Sequence, residues 1–180
     1  MAFQNIALSG RIACGSSTLA SALSQNLGWS LRDGSQIFRD ISAHLGYDLE
    51  RAPQQYNDDV DRKVDEETYA LLALPQQIVV SSKLAGFLSR DIPHTLRVLL
   101  ICSQEERIRR YIQSRGHAPK EAPNLIQLRE QADQKKWERL HGPNDFFDQS
   151  FFHLVLDSGS LSIKQEVAHI ITALAGNQTS

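Results

Sequence analysis

The sequence predicts an α/β fold of three layers, with a five-stranded parallel sheet between helices, built as one domain over residues 1–180. Three observations predict it. Short aliphatic or β-branched runs recur along the chain: IAL at 6–8, IVV at 78–80, LRVLLIC at 96–102 and LVL at 154–156. Continuous runs of this kind suit strands buried on both faces, as parallel sheets require. Stretches with helical spacing separate them, long enough for right-handed crossovers. Finally, 180 residues that are 41% hydrophobic and 22% charged suit one sizeable core, and no repeat, low-complexity segment or linker divides them.

Strands are expected near 3–9, 29–32, 77–82, 95–102 and 153–157. After the first, Ser16, Ser17 and Thr18 open a helix with Leu19, Leu23 and Leu27 on its apolar side. The second ends at the turn signal Asp33-Gly34. Ser35 is then expected to cap a helix with Ile37, Phe38, Ile41 and Leu45 on one face, stopped by Gly46. Residues 47–57 are polar and irregular. From Asp58 to Leu74 the chain is helical and dense in charge, and Pro75 ends it. Arg62 and Asp65 have pairing distance there, while Asp61 and Asp65 repel unless a cation lies between them. The run reads as a solvated face. Further helices are expected at 105–114, 125–140 and 162–175, with a frayed tail.

Composition removes several classes of function. A net charge of −2 gives no global pull toward nucleic acid or membrane. Two cysteines, Cys14 and Cys102, make no disulfide framework. Six scattered histidines lack helical metal-ligand spacing, which argues against zinc. The N-terminal residues carry neither a basic leader nor a long apolar run, so a cytoplasmic location is expected, with no protein partner.

The chemistry centres on the loop after the first strand. Gly10 and Gly15 bracket Arg11, Ile12, Ala13 and Cys14, and Ser16, Ser17 and Thr18 follow. This is the spacing of a phosphate-binding P-loop, except that Ser16 stands where lysine is usual. The loop does not need the lysine to attract an anion. Backbone N–H groups at a helix start lack internal partners and carry partial positive charge. Gly10, Ala13, Cys14, Gly15, Ser16, Ser17 and Thr18 are the candidate donor-phosphate residues, with Ser17 placed to meet Mg²⁺. The alternative is an ordinary strand–turn–helix connection capped by serines.

Two segments, 34–75 and 103–150, are too long for simple connections and suit helical insertions that close over ligands. Arg39 lies on a helix of the first, and Lys83 stands just past the third strand, at the edge where open α/β sheets bind ligands. Arg129, Asp133 and Lys136 in the second fall at i, i+4 and i+7, on one helical face. Two cations flanking a carboxylate suit a nucleotide. A salt-bridged surface stripe is the alternative, and RNA is disfavoured because only Tyr111 and Trp137 interleave the charges.

With these residues the chain resembles the cytidylate kinases, especially the compact archaeal-type group of P-loop nucleoside monophosphate kinases. SQIFRDISAHLG, VDRKVDEE, IVVSSKLAGF, RIRRYIQSRG and the Arg129–Lys136 pattern carry the likeness over nearly the whole length. The resemblance implies a P-loop NTPase fold with a monophosphate-binding insertion and a lid. It implies ATP and Mg²⁺, with a nucleoside monophosphate acceptor, CMP or dCMP foremost. It assigns Arg39, Lys83, Arg129 and Lys136 to the acceptor, Asp133 to its base or sugar, and Arg115 to the lid. Residues 153–162 would lie beside the adenine. The departures are Ser16, Ala13, Gly34, Lys83 in place of arginine, and Ser81 where an acid often helps order Mg²⁺. Arg11 is expected to fold over the loop and replace the missing lysine charge. A degenerate nucleotide-binding protein and a kinase for another small acceptor remain as alternatives.

Overall fold

The computed structural model describes residues 2–46, 58–115, 118 and 120–176, with Arg115 described by its backbone alone. The expectations for 47–57 and for the tail beyond 176, and most of the loop 116–119, lie outside the described residues. The element order is β1 (Asn5–Gly10), α1 (Ser16–Leu27), β2 (Ser30–Asp33), α2 (Gly34–His44), α3 (Asp58–Ala73), β3 (Ile78–Ser81), α4 (Ala85–Leu88), β4 (Thr95–Ile101), α5 (Gln104–Arg115), α6 (Ala122–His141), β5 (Leu154–Asp157) and α7 (Ile163–Gly176). A short 3₁₀ turn, Gln149–Phe151, precedes β5.

The five strands form one parallel sheet in the order β2-β3-β1-β4-β5. Alternation along β1 shows how the sheet is covered. Ile6 and Leu8 face one layer with Val79, Val98 and Leu100, packed under Leu19 and Leu23 of α1 and Val167, Ile170 and Leu174 of α7. Ala7 faces the other layer with Ile78 and Val80, against Leu72 of α3 and Ala85 of α4. A third cluster of Leu84, Phe87, Trp137 and Phe146 seats α6 on this second side. No described helix is long and apolar enough to cross a membrane.

The chain doubles back around β1, which lies between β3 and β4, so the loop after β1 opens at the switch point of the sheet. All five strand ends point the same way, which brings Gly10, Asp33, Ser81, Ile101 and Asp157 to one edge. Register refines the grouping: Ser81 pairs with Leu8 on one side and with Asp33 on the other.

Three local expectations are corrected. The cap of α2 is Asp33, not Ser35: the Asp33 carboxylate accepts the Ser35 N–H at 2.9 Å. A carboxylate two residues upstream satisfies that N–H better than a serine already inside the helix. Of the predicted apolar face of α2, only Ile37 is buried. Finally, the acidic face of α3 is not simply solvated. Asp58 bonds Arg139 at 2.6 Å, Asp61 bonds Lys136 at 2.9 Å and Asp65 bonds His141 at 2.8 Å. The expected repulsion between Asp61 and Asp65 is relieved from α6. Burial holds the Asp65 carboxyl above its ordinary value, and His141 pulls it partly back.

Candidate active site

The loop Gly10–Gly15 owes its shape to two residues in the left-handed region, Ala13 at φ 63° and Gly15 at φ 92°. Gly15 tolerates this because it lacks a Cβ; Ala13 does so at a cost. The turn closes through the Cys14 N–H, which donates to Arg11 O at 3.1 Å. α1 then begins without a side-chain cap, and its first helical bond is Leu19 N–H to Gly15 O. The N–H groups of Ser16, Ser17 and Thr18 precede that bond, at the positive end of the helix dipole. The serine-capped connection, the alternative at this loop, is therefore not what the chain adopts.

Ser17 is exposed, and its hydroxyl donates to Asp33 Oδ2 at 3.1 Å. Asp33 was not foreseen as a site residue, because Asp33-Gly34 reads as a turn. An oxygen-rich pair of hydroxyl and carboxylate beside an anion cradle fits Mg²⁺, which takes hard oxygen ligands together with substrate phosphates. Ser81, the position without its expected acid, is buried next to Asp33 in the sheet.

The loop is held from behind by two arginines of α5. Arg110 donates to Cys14 O at 3.3 Å and to Ser158 O at 2.6 Å, while Glu106 accepts from its Nε at 2.8 Å. Arg109 and Arg110 together hold the Glu106 carboxyl down to about 2. The Ser158 hydroxyl lies 2.8 Å from Cys14 O and 3.2 Å from Ile101 O, so the β5–α7 turn is pinned to the loop. Arg107, almost wholly buried, donates to Ile12 O at 3.2 Å and to Glu130 of α6 at 2.5 Å. These two arginines were visible only as part of a basic cluster. Burial pushes the Cys14 thiol up to about 11, which leaves it a neutral packing group near pH 7.

Arg11, expected over the loop, turns toward α6. Its guanidinium carbon lies 4.9 Å from the centre of the Phe147 ring, and Nη1 lies 4.0 Å from Glu130. It lines a cleft of about 880 Å³ with Lys83, Arg107, Glu130, Asp133 and Trp137. Arg11 and Lys83 are thus brought to one cavity, although among the described residues no hydrogen bond places the Arg11 side chain on the loop.

Lys83 is positioned by the β3–α4 turn. Ser82 N–H donates to Leu8 O at 3.1 Å, and Gly86 N–H donates to Ser9 Oγ at 2.9 Å. Gly86 is required there: a Cβ would lie 2.1 Å from the Phe152 ring. From this turn Lys83 bonds Asp133 of α6. Lys136 lies 3.8 Å from Asp133 and also bonds Asp61, so these four side chains form one alternating cluster. Arg129 is exposed one turn earlier on α6, and Arg39 is exposed on α2, donating to Gln36 at 2.7 Å. Among the described residues, neither makes a hydrogen bond or ion pair to the cluster. The side chain of Arg115 lies outside the described residues.

With this geometry in place, comparison with known proteins is informative. The model of the cytidylate kinase-like family matches residues 5–160. A cytidylate kinase from Sulfurisphaera tokodaii is 30% identical over 171 residues, covering 93% of each chain. Among solved structures, an uncharacterized protein from Eubacterium ventriosum superposes with a TM-score of 0.72 at 13% identity, covering 95% of this chain and 98% of that one. A shikimate kinase from Acinetobacter baumannii superposes with a TM-score of 0.64 at 14% identity, covering 99% and 96%. The solved structures bear on the fold alone.

Proposed function

The chain belongs to the cytidylate kinase-like family, and on that premise we propose that it transfers the γ-phosphoryl group of ATP to a nucleoside monophosphate, CMP or dCMP foremost. The observation that carries this reading is a pairing at one sheet edge. An uncapped helix N-terminus suited to donor phosphates stands beside a Lys83–Asp133–Lys136 cluster suited to an acceptor. Segments 34–75 and 103–150 serve as the monophosphate-binding insertion and the lid.

In the reaction an acceptor phosphate oxygen forms a bond to the γ-phosphorus, and the bridging bond to the β-phosphate breaks, releasing ADP. Such transfer needs positioning and positive charge rather than a protein nucleophile. The N–H groups of Ala13 and of Gly15, Ser16, Ser17 and Thr18 hold the donor phosphates, while that of Cys14, also expected there, stays on Arg11 O. Lys83 and Lys136 exchange their carboxylate partners for the acceptor phosphate, aided by Arg39 and Arg129, and Asp133 turns to the base or sugar. Arg115 neutralises charge when the lid closes. Ser17 and Asp33 would hold Mg²⁺, which supplies electrostatic stabilisation of the phosphoryl oxygens. Arg11 leaves Glu130 and Phe147 to supply the charge that Ser16 lacks.

A second reading is favoured by that same arginine. With Arg11 engaged elsewhere and Ser16 in the lysine position, the chain would be a nucleotide-binding protein without efficient transfer. A coupled ADP-release assay with ATP, Mg²⁺ and a panel of monophosphates separates the two. Turnover with CMP or dCMP, reduced by Arg11→Ala about 10²–10³-fold as for loss of one transition-state donor, supports the first. Nucleotide binding without turnover supports the second. Turnover with a different acceptor only would sink the CMP assignment.

A further inference from the structure

We propose that Cys14 and Cys102 are an oxidisable pair, which a hydroperoxide closes into a disulfide that locks the phosphate loop. The pair itself goes beyond the function proposed above, and only its effect on nucleotide binding rests on the donor-loop reading. Both thiols are free, and both residues pack in one apolar cluster. A single hydroxyl, Ser158 Oγ, bonds Cys14 O at 2.8 Å and Ile101 O at 3.2 Å, so the backbone at Cys14 and the backbone just before Cys102 meet at one atom. The Cys102 sulfur lies 3.6 Å from the point where a Gly159 Cβ would stand, next to that serine. Gly10 keeps the space between them open. A Cβ there would lie 3.2 Å from Cys14 Cβ and 3.3 Å from Leu100 Cβ, and Leu100 and Cys102 pack on the same side of the sheet.

Exposure sets the order of events. Cys102 is partly exposed whereas Cys14 is buried, so peroxide meets Cys102 first. Both residues line a cavity of about 200 Å³, which has room for a small peroxide. With hydrogen peroxide, the Cys102 thiolate attacks the O–O bond. An S–O bond forms, hydroxide leaves with the thiol proton as water, and the sulfur is oxidised by two electrons to a sulfenic acid. The Cys14 sulfur then attacks Cys102: the S–S bond forms, the S–O bond breaks, and the departing hydroxide takes the Cys14 proton as a second water. Burial, which pushes the Cys14 thiol up to about 11, suits it to this second step rather than to the first. Cys14 sits between the two left-handed residues Ala13 and Gly15. A bond from it to the end of β4 therefore fixes the turn whose N–H groups wrap an anion.

The test uses the full chain and two variants, each reduced and then exposed to hydrogen peroxide. Intact mass and a non-reducing peptide map read the pairing, and affinity for a non-hydrolysable ATP analogue reads its effect. Wild type should lose about 2 Da as a monomer and yield joined Cys14 and Cys102 peptides. It should then bind the analogue at least about tenfold more weakly, until dithiothreitol restores it. Cys14→Ser should stop at a Cys102 sulfenic acid that dimedone traps. Cys102→Ser should keep its Cys14 thiol and its analogue affinity through the same exposure. The pair is overturned by joining between chains only, by oxygen added to wild type without joining, or by a Cys14 thiol consumed in Cys102→Ser at the wild-type rate. Joined peptides with unchanged analogue affinity overturn the lock. Reduced wild type that binds no analogue sinks the donor-loop reading and the lock with it, while the peptide map still decides the pair.

Discussion

Glu130 offers the sharpest test of how the phosphate loop is held. Its carboxylate lies 2.5 Å from Arg107, whose side chain is only 8% exposed, and 4.0 Å from Arg11. Glu130→Ala leaves the Arg107 guanidinium buried with Ile12 O as its remaining acceptor. Removing one partner of a fully buried pair costs about 3–5 kcal/mol. Glu130 itself is 22% exposed, so water softens the loss to about 2–3 kcal/mol. For a chain of this length that is a fall of roughly 4–12 °C in melting temperature. Glu130→Gln keeps one bond to Arg107 and should lose about half as much. Replacing both partners by apolar groups, as in Arg107→Met with Glu130→Met, should recover stability to within about 1 kcal/mol of wild type. The assay is thermal unfolding followed by circular dichroism, with the double-mutant cycle closing the comparison. An alanine variant melting within about 2 °C of wild type, or a double variant worse than either single one, refutes the reasoning.

Three further outcomes are expected. Asp61→Asn removes a partner from Lys136, where the two side chains are 17% and 29% exposed. It should cost about 1 kcal/mol of stability yet lower KM for CMP a few-fold, because Lys136 is released; a raised KM would mean that Asp61 serves the acceptor rather than competing with it. Ala13→Gly relieves a left-handed alanine worth about 1–2 kcal/mol, less about 0.4–1 kcal/mol of added unfolded-state entropy. Melting should rise by a degree or more, and an unchanged or lower value would show that the loop is not strained at Ala13. Burial, reinforced by Arg97, lowers His153 to about 4. A histidine depressed in the folded state binds fewer protons there than when unfolded. Its contribution is therefore complete above the unfolded value, near 6.5, and is lost as pH falls toward 4. The residue as a whole is exposed, so solvent discounts the effect to about 1 kcal/mol. His153→Gln should flatten the melting profile between pH 6.5 and 5; an identical slope would remove His153 as its cause.

Features that depend on local pattern were legible in the sequence. Val79 and Val80 announce a strand buried on both faces, and Gly10 and Gly15 announce the loop, because burial and backbone freedom write directly onto residue type. Helical spacing made one grouping legible: Asp133 and Lys136 do share a face, and Asp133 also bonds Lys83. Partnerships across the fold were not. Asp58, Asp61 and Asp65 read as a solvated run because Arg139, Lys136 and His141 lie more than 70 residues away. A matched stripe of opposite charge on the two helices was the available signal. Asp33 was hidden by its own neighbour, since Asp-Gly is first of all a turn signal. Arg11 was assigned by the charge the loop lacks, whereas its side chain goes to the aromatic ring and carboxylate that it faces.

The two ion pairs and the His141–Asp65 hydrogen bond between α3 and α6 also have a mechanical meaning. α3 lies in the first long insertion and α6 in the second, and the pairs clip the two together at three points along their length. Prising the helices apart means stripping Asp58 from Arg139, Asp61 from Lys136 and Asp65 from His141 together, so a displacement of one helix is felt by the other. α3 and α6 are thus one braced unit rather than two separate helices, and high salt, which screens the charged clips, should loosen that brace before it loosens the sheet.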